Sequence, residues 1–87
     1  MAKKKVKFSF KAPAGAREVK LCGDFTGWEQ GAIIMKSAKS GEWTATVAVD
    51  AGEHQYKFMA DGSWFVDPKA EKRIVNESGT ENSVRVI

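Results

Sequence analysis

Cysteine and histidine are nearly absent from this chain of 87 residues, with Cys22 and His54 the single example of each. One thiol cannot close an internal disulfide, and a metal site built on several thiolates is excluded. Cys22 therefore reads as a buried structural thiol. His54 falls on the same alternating face as Tyr56 and Phe58, close to a strand start, and reads as a packed or rim histidine rather than a catalytic base. Long apolar runs are missing too: none approaches the roughly 18 residues of a membrane span. A hydrophobic fraction of 43% with 29% charged residues is that of an ordinary globular domain, neither membrane-bound nor disordered. Val6 to Phe10 is too short and too polar for the apolar stretch of a signal peptide, so a cytoplasmic protein is expected.

Chemistry is scarce as well. No glycine-rich loop precedes a helix, the usual requirement for holding phosphate. Asp24, Asp50, Asp61 and Asp67 each occupy a turn or strand end, where aspartate commonly caps local backbone. Nothing orients two carboxylates across a cleft, as glycoside hydrolysis requires. A non-enzyme is expected, with no cofactor and no metal site. The net charge of +3 is concentrated in Lys3, Lys4, Lys5, Lys7 and Lys11, and the remainder carries nine basic residues against eleven acidic ones. Without a broad positive face, binding to nucleic acid is disfavoured. The lysine run reads as solubilising, with residues 1–4 a flexible basic arm on a single domain spanning 1–87.

What the chain has in abundance is short alternating segments. Val6, Phe8 and Phe10 alternate with lysines and a serine between Lys5 and Ala12, before Pro13-Ala14-Gly15 breaks the strand. Val19 and Leu21 face inward in a second strand that ends at the Asp24-Phe25-Thr26-Gly27-Trp28 corner. Ile33 to Lys36 is a short apolar piece. Trp43, Ala45, Val47 and Val49 mark another strand, and Asp67-Pro68 stops the hairpin that follows. Ile74-Val75 and Ser83 to Ile87 supply two more. No segment has a helical period. The pattern predicts an all-β fold, an immunoglobulin-like β-sandwich of about seven to eight antiparallel strands, with a small barrel as the alternative.

Gly52 to Pro68 is the most informative stretch. Asp61-Gly62 between two apolar runs predicts a type I′ turn, because both central positions need positive φ. Counting outward pairs Ala60 with Ser63, Met59 with Trp64, Phe58 with Phe65 and Lys57 with Val66. Tyr56, Phe58 and Phe65 then share a core face, while Lys57, Met59, Trp64 and Val66 share the other. Phe8, Phe10, Trp43, Tyr56, Phe58 and Phe65 are expected in the core, and Phe25 is expected to plug the sandwich end. Trp28 and Trp64 are the tryptophans expected at the surface. Exposed indoles imply a ligand with flat apolar faces, either nucleobases or pyranose rings. Stacked nucleobases come with a basic groove, and only Lys57 lies obviously near. A neutral sugar needs donors and acceptors instead, and Lys57, Thr80 and Asn82 can supply them.

These residues resemble the family 48 carbohydrate-binding modules, which include the glycogen-binding domain of AMP-activated protein kinase β subunits and the N-terminal domains of branching and debranching enzymes. The likeness runs from Val19-Lys20-Leu21-Cys22-Gly23-Asp24-Phe25-Thr26-Gly27-Trp28, through Gly52-Glu53-His54-Gln55-Tyr56-Lys57-Phe58 and Asp61-Gly62-Ser63-Trp64, to Asp67-Pro68 and Gly79-Thr80-Glu81-Asn82. It implies non-catalytic binding of α-1,4-linked glucans such as glycogen, starch or maltodextrin. Trp28 and Trp64 would stack on sugar rings, Lys57 and Asn82 would bond hydroxyls, and Thr80 would contact them from its loop. Two positions depart from the kinase subunits: Ser78 replaces a bulky aliphatic residue, and Thr26-Gly27 replaces a pair of asparagines. A glucan-processing enzyme is the partner that the resemblance implies. The alternative reading is a protein-interaction or scaffolding module that docks on such an enzyme or a kinase.

Overall fold

The structure, a computed structural model, describes residues 3–87. Its strands are β1 (Lys4–Lys11), β2 (Val19–Gly23), β3 (Ile33–Ile34), β4 (Lys36–Ser37), β5 (Glu42–Val49), β6 (Glu53–Ala60), β7 (Ser63–Phe65), β8 (Lys72–Val75) and β9 (Glu81–Val86). They form two sheets, one ordered β1-β5-β4 and one ordered β3-β2-β6-β9-β8 with β7 also beside β6. Every pairing is antiparallel. The fold is thus the expected sandwich rather than a closed barrel. Met1 and Ala2 of the expected basic arm lie outside the described residues. Lys4 is a correction to that expectation, because it opens β1 opposite Val49. The lysines extend an alternating pattern whose Val6, Phe8 and Phe10 are buried, and strand pairing starts as soon as β5 supplies a partner.

The strand count exceeds the expected seven to eight because the Ile33 to Lys36 piece divides. β3 pairs with β2 in the larger sheet, whereas β4 pairs with β5 in the smaller one. Met35 sits at the crossing, 2% exposed, and its N–H donates to the carbonyl of Val19 at 2.8 Å. An unbranched thioether suits an irregular gap between two sheet edges.

Aromatic pairs join the two layers. Phe10 of β1 stacks on Phe58 of β6 with centroids 4.5 Å apart, and Phe8 meets Tyr56 edge-on at 5.0 Å. Phe25 stacks on Phe8 at 5.5 Å and closes that end of the core, as expected. Trp43 is half-buried and packs against the core cluster.

One buried carboxylate is fully engaged. Tyr56 Oη donates to Asp67 Oδ2 at 2.6 Å, Lys69 N donates to Asp67 Oδ1, and Asp67 N donates to Ser83 Oγ at 2.7 Å. Burial, with the Asp67 carboxylate beside it, holds the Tyr56 phenol above its usual range. Asp67 therefore caps locally, as the sequence predicts. Asp24 and Asp61 do not: Asp24 Oδ2 accepts from Gln55 N, and Asp61 accepts from Arg17 N and Glu18 N. Both sit at strand ends where another segment offers unpaired N–H groups, so they tie distant parts of the chain together.

His54 is held from both sides, by Asp24 Oδ1 at 2.9 Å on Nδ1 and by the Asp50 carbonyl at 2.8 Å on Nε2. A neutral imidazole has one N–H and cannot satisfy two acceptors, whereas the imidazolium can. The bond to the Asp50 carbonyl, then the bond to Asp24, raise its pKa above the ordinary 6.5. A raised folded-state pKa makes this contribution to stability complete below pH 6.5 and lost as pH rises through the folded value. Melting temperature is therefore expected to fall as pH rises above 6.5 in the native protein and to change less in His54→Gln. Parallel curves for the two proteins would refute the assignment.

Candidate functional site

The β6–β7 hairpin has the register that its turn residues dictate. Asp61 and Gly62 adopt φ of 48° and 85°, and Ala60 pairs with Ser63, Met59 with Trp64, and Phe58 with Phe65. β7 ends at Phe65, so Lys57 and Val66 do not pair; β9 takes over that edge of β6 at Tyr56. Alternation along β6 buries Tyr56, Phe58 and Ala60 and turns Gln55, Lys57 and Met59 outward. Trp64 shares the outward face, 41% exposed, with Lys57 Nζ 5.9 Å from its ring centroid. An exposed cation over an indole contributes about 0.5–1 kcal/mol.

Across the same sheet face stands the corner after β2. Thr26 Oγ1 accepts from Gly23 N at 3.0 Å and faces the carbonyls of Gly23 and Trp28, one of which takes its proton. Thr26 thus locks the corner. Gly27 and Trp28 both have positive φ, 69° and 60°. That conformation is natural for glycine and strained for a bulky residue. A 3₁₀ turn over Trp28–Gly31 follows, which the sequence reading did not find. A Cβ at Gly31 would collide with the Thr26 carbonyl, so the turn needs glycine to close on the corner. It packs on β2. Cys22 pairs with Lys57 and so also points outward, yet it is fully buried. Burial, then the charge of Glu29, pushes its thiol up. The expectation of a buried thiol holds.

The third wall is the loop between β8 and β9. Asn76 Oδ1 accepts from Ser78 N at 3.0 Å and Thr80 N at 3.1 Å, while Asn76 N donates to the Thr80 carbonyl at 2.7 Å. Lys57 Nζ donates to Thr80 Oγ1 at 3.1 Å, joining the loop to the hairpin. Asn82 pairs with Ile74, beside the inward Ser83, so its side chain lies on the outward face. It is 6% exposed and forms floor rather than rim.

Together these walls border an open cleft of about 940 Å³. All five residues expected at a site, Trp28, Lys57, Trp64, Thr80 and Asn82, line it. Gln55 and Asn76 line it as well and were missed by the sequence reading. Gln55 was legible by alternation with Lys57, and Asn76 as an Asx-type turn residue two positions before Ser78. Glu29 and Glu77 also border the cleft, both solvent-exposed. Among the described residues no group of three or more His, Cys, Asp or Glu could hold a metal ion.

The profile of the "Glycogen recognition site of AMP-activated protein kinase" matches residues 5–87. The chain belongs to this family. Relatives in the glycogen-recognition family include Protein PTST homolog 2, chloroplastic, from Arabidopsis thaliana, which is 37% identical over 86% of this chain and 14% of its own length. The β-1 subunit of 5'-AMP-activated protein kinase is 33% identical in Sus scrofa, over 86% of this chain and 58% of that protein. The Bos taurus subunit is 35% identical over 86% of this chain and 26% of its own. The chain therefore spans between 14% and 58% of these relatives. A solved maltogenic amylase from S. marinus contains the same fold in 13% of its length, with a TM-score of 0.73 over 93% of this chain and 23% identity. No helix among the described residues is long and apolar enough to cross a membrane. One relative is chloroplastic by name, so membership alone does not assign the family to the cytoplasm.

Proposed function

We propose that this domain binds α-1,4-linked glucan without acting on it chemically, with Trp28 and Trp64 stacking on pyranose rings and Lys57, Thr80 and Asn82 bonding hydroxyls. The observation that carries the reading is convergence. Two tryptophans and three polar side chains from four separate segments line one open cleft, in a chain of the glycogen-recognition family. The C–H face of a glucose ring is apolar and suits an indole, while its equatorial hydroxyls suit the polar floor. Stacking contributes about 1–3 kcal/mol per ring, taking nucleobase stacking as the analogue, so an affinity of about 10 μM to 1 mM is expected. Glu29 and Glu77 are exposed, unlike the desolvated acid of a glycosidase.

The test is a titration of maltoheptaose followed by tryptophan fluorescence. A saturable change below a few millimolar is expected, with no new reducing ends on prolonged incubation. No saturable response would sink the reading, and released reducing ends would sink its non-catalytic part.

A second reading draws on relatives that are named as subunits of a kinase. In it the domain is a docking module that holds a glucan-processing enzyme or a kinase. Retention of such an enzyme by the Trp64→Ala variant would favour docking over sugar binding.

A further inference from the structure

Hydrogen-bond polarity in the cleft is forced from a single point. Asn76 Oδ1 faces two backbone N–H groups, those of Ser78 and Thr80. Backbone N–H can only donate, so the atom there must be oxygen, and the Asn76 amide nitrogen must point the other way. That nitrogen lies 2.8 Å from Thr80 Oγ1 and 3.1 Å from Asn82 Oδ1. An NH₂ group can only donate, which fixes Asn82 with its oxygen toward Asn76. Asn82 Nδ2 then faces Gln55 at 3.1 Å, and the atom it meets must be Oε1. Gln55 is left with its Nε2 free for the cleft that it lines.

Thr80 is fixed by the same logic. Its hydroxyl oxygen has two lone pairs, and Lys57 Nζ and Asn76 Nδ2 occupy both. What remains is its proton. Lys57 has no acceptor to offer. Three polar groups around the cleft, Thr80 Oγ1, Gln55 Nε2 and Lys57 Nζ, thus all present hydrogen.

We infer that Asn76 is a positioning residue that sets Gln55 and Thr80, beside Lys57, as a row of donors on one side of this cleft, so that a ligand is met there through hydroxyl oxygens acting as acceptors. The inference rests on the glucan reading of the same cleft. It names what that reading leaves open, namely which half of each sugar hydroxyl is recognised at Gln55 and Thr80. Neighbouring hydroxyls on one ring would accept in parallel here, which leaves their own protons for solvent or for the carboxylates of Glu29 and Glu77 that border the cleft.

Asn76→Asp tests this with nearly the same shape. A carboxylate still accepts from Ser78 N and Thr80 N, so the loop keeps its form. It cannot donate, so Thr80 turns its proton onto Asp at position 76, Asn82 reverses its amide, and Gln55 follows, presenting Oε1 to the cleft. The expected result is a loss of maltoheptaose affinity of about tenfold or more with a melting temperature close to the native one. Gln55→Glu, which keeps the acceptor for Asn82 but removes the donor to the cleft, is expected to weaken binding similarly and decides the matter should Asn76→Asp fail to fold. In the native protein the Gln55 side-chain amide protons are expected to shift in NMR spectra on adding maltoheptaose. Native affinity in either folded variant, or an unmoved Gln55 amide in a saturated native sample, overturns the inference. A native protein that binds no maltoheptaose would instead remove the glucan reading itself, and the two failures are thereby separable.

Discussion

Trp64→Ala is expected to weaken maltoheptaose binding by about ten- to a hundredfold while leaving the melting temperature nearly unchanged. The indole is 41% exposed and stands on the outward face opposite Met59, clear of the aromatic cluster between the sheets. Removing it therefore opens no cavity in the core. What is lost is a stacking surface, at about 1–3 kcal/mol, and the contact with Lys57. Trp64→Phe should fall between, because a smaller ring keeps part of the stacking area. Fluorescence is compromised by the substitution itself, so calorimetry is the appropriate measurement. Affinity equal to the native protein's would show that Trp64 is no platform.

Phe58→Ala is expected to have the largest effect on stability, about 3–5 kcal/mol. Phe58 is fully buried in β6, stacks on Phe10 of the opposite sheet and meets Tyr56 edge-on at 5.7 Å. Few neighbours can collapse into the vacated space, since β6 is paired on both edges by β2 and β7 at this point. A chain of this length has about 4–13 kcal/mol in total. The substitution thus removes a large fraction of it and lowers the melting temperature by tens of degrees. Chemical denaturation with an unchanged dependence on denaturant concentration would confirm a pure stability effect. A loss under about 1 kcal/mol would mean that the aromatic link between the sheets is not what holds them.

Much of this was legible in the sequence because period-two alternation and turn chemistry are local rules. Asp61-Gly62 fixed a register that the backbone follows pair by pair up to Phe65, and that register alone put Lys57 beside Trp64. Family motifs marked Trp28, Thr80 and Asn82. Three features were not legible, each for a non-local reason. The Ile33 to Lys36 piece divides between sheets because Met35 bridges two edges that only the assembled sandwich brings together. The 3₁₀ turn after Trp28 has no hydrophobic period and depends on the Thr26 lock. Asp24 and Asp61 reach segments far along the chain, which their positions at turns could not disclose. Asn76 went unread, because its influence on Gln55 passes through the intermediate side chain of Asn82, which only the folded sheet brings between them.

Strand β6 carries two sets of obligations on one backbone. Its even-numbered residues Tyr56 and Phe58 answer to the interior, and its odd-numbered residues Gln55 and Lys57 answer to whatever occupies the cleft. Successive side chains of a strand point to opposite faces of the sheet and so pack against different neighbours. Descendants of this domain can therefore drift toward longer, branched or modified glucans through the odd positions without renegotiating the fold, and can gain or lose robustness through the even ones without changing what they hold.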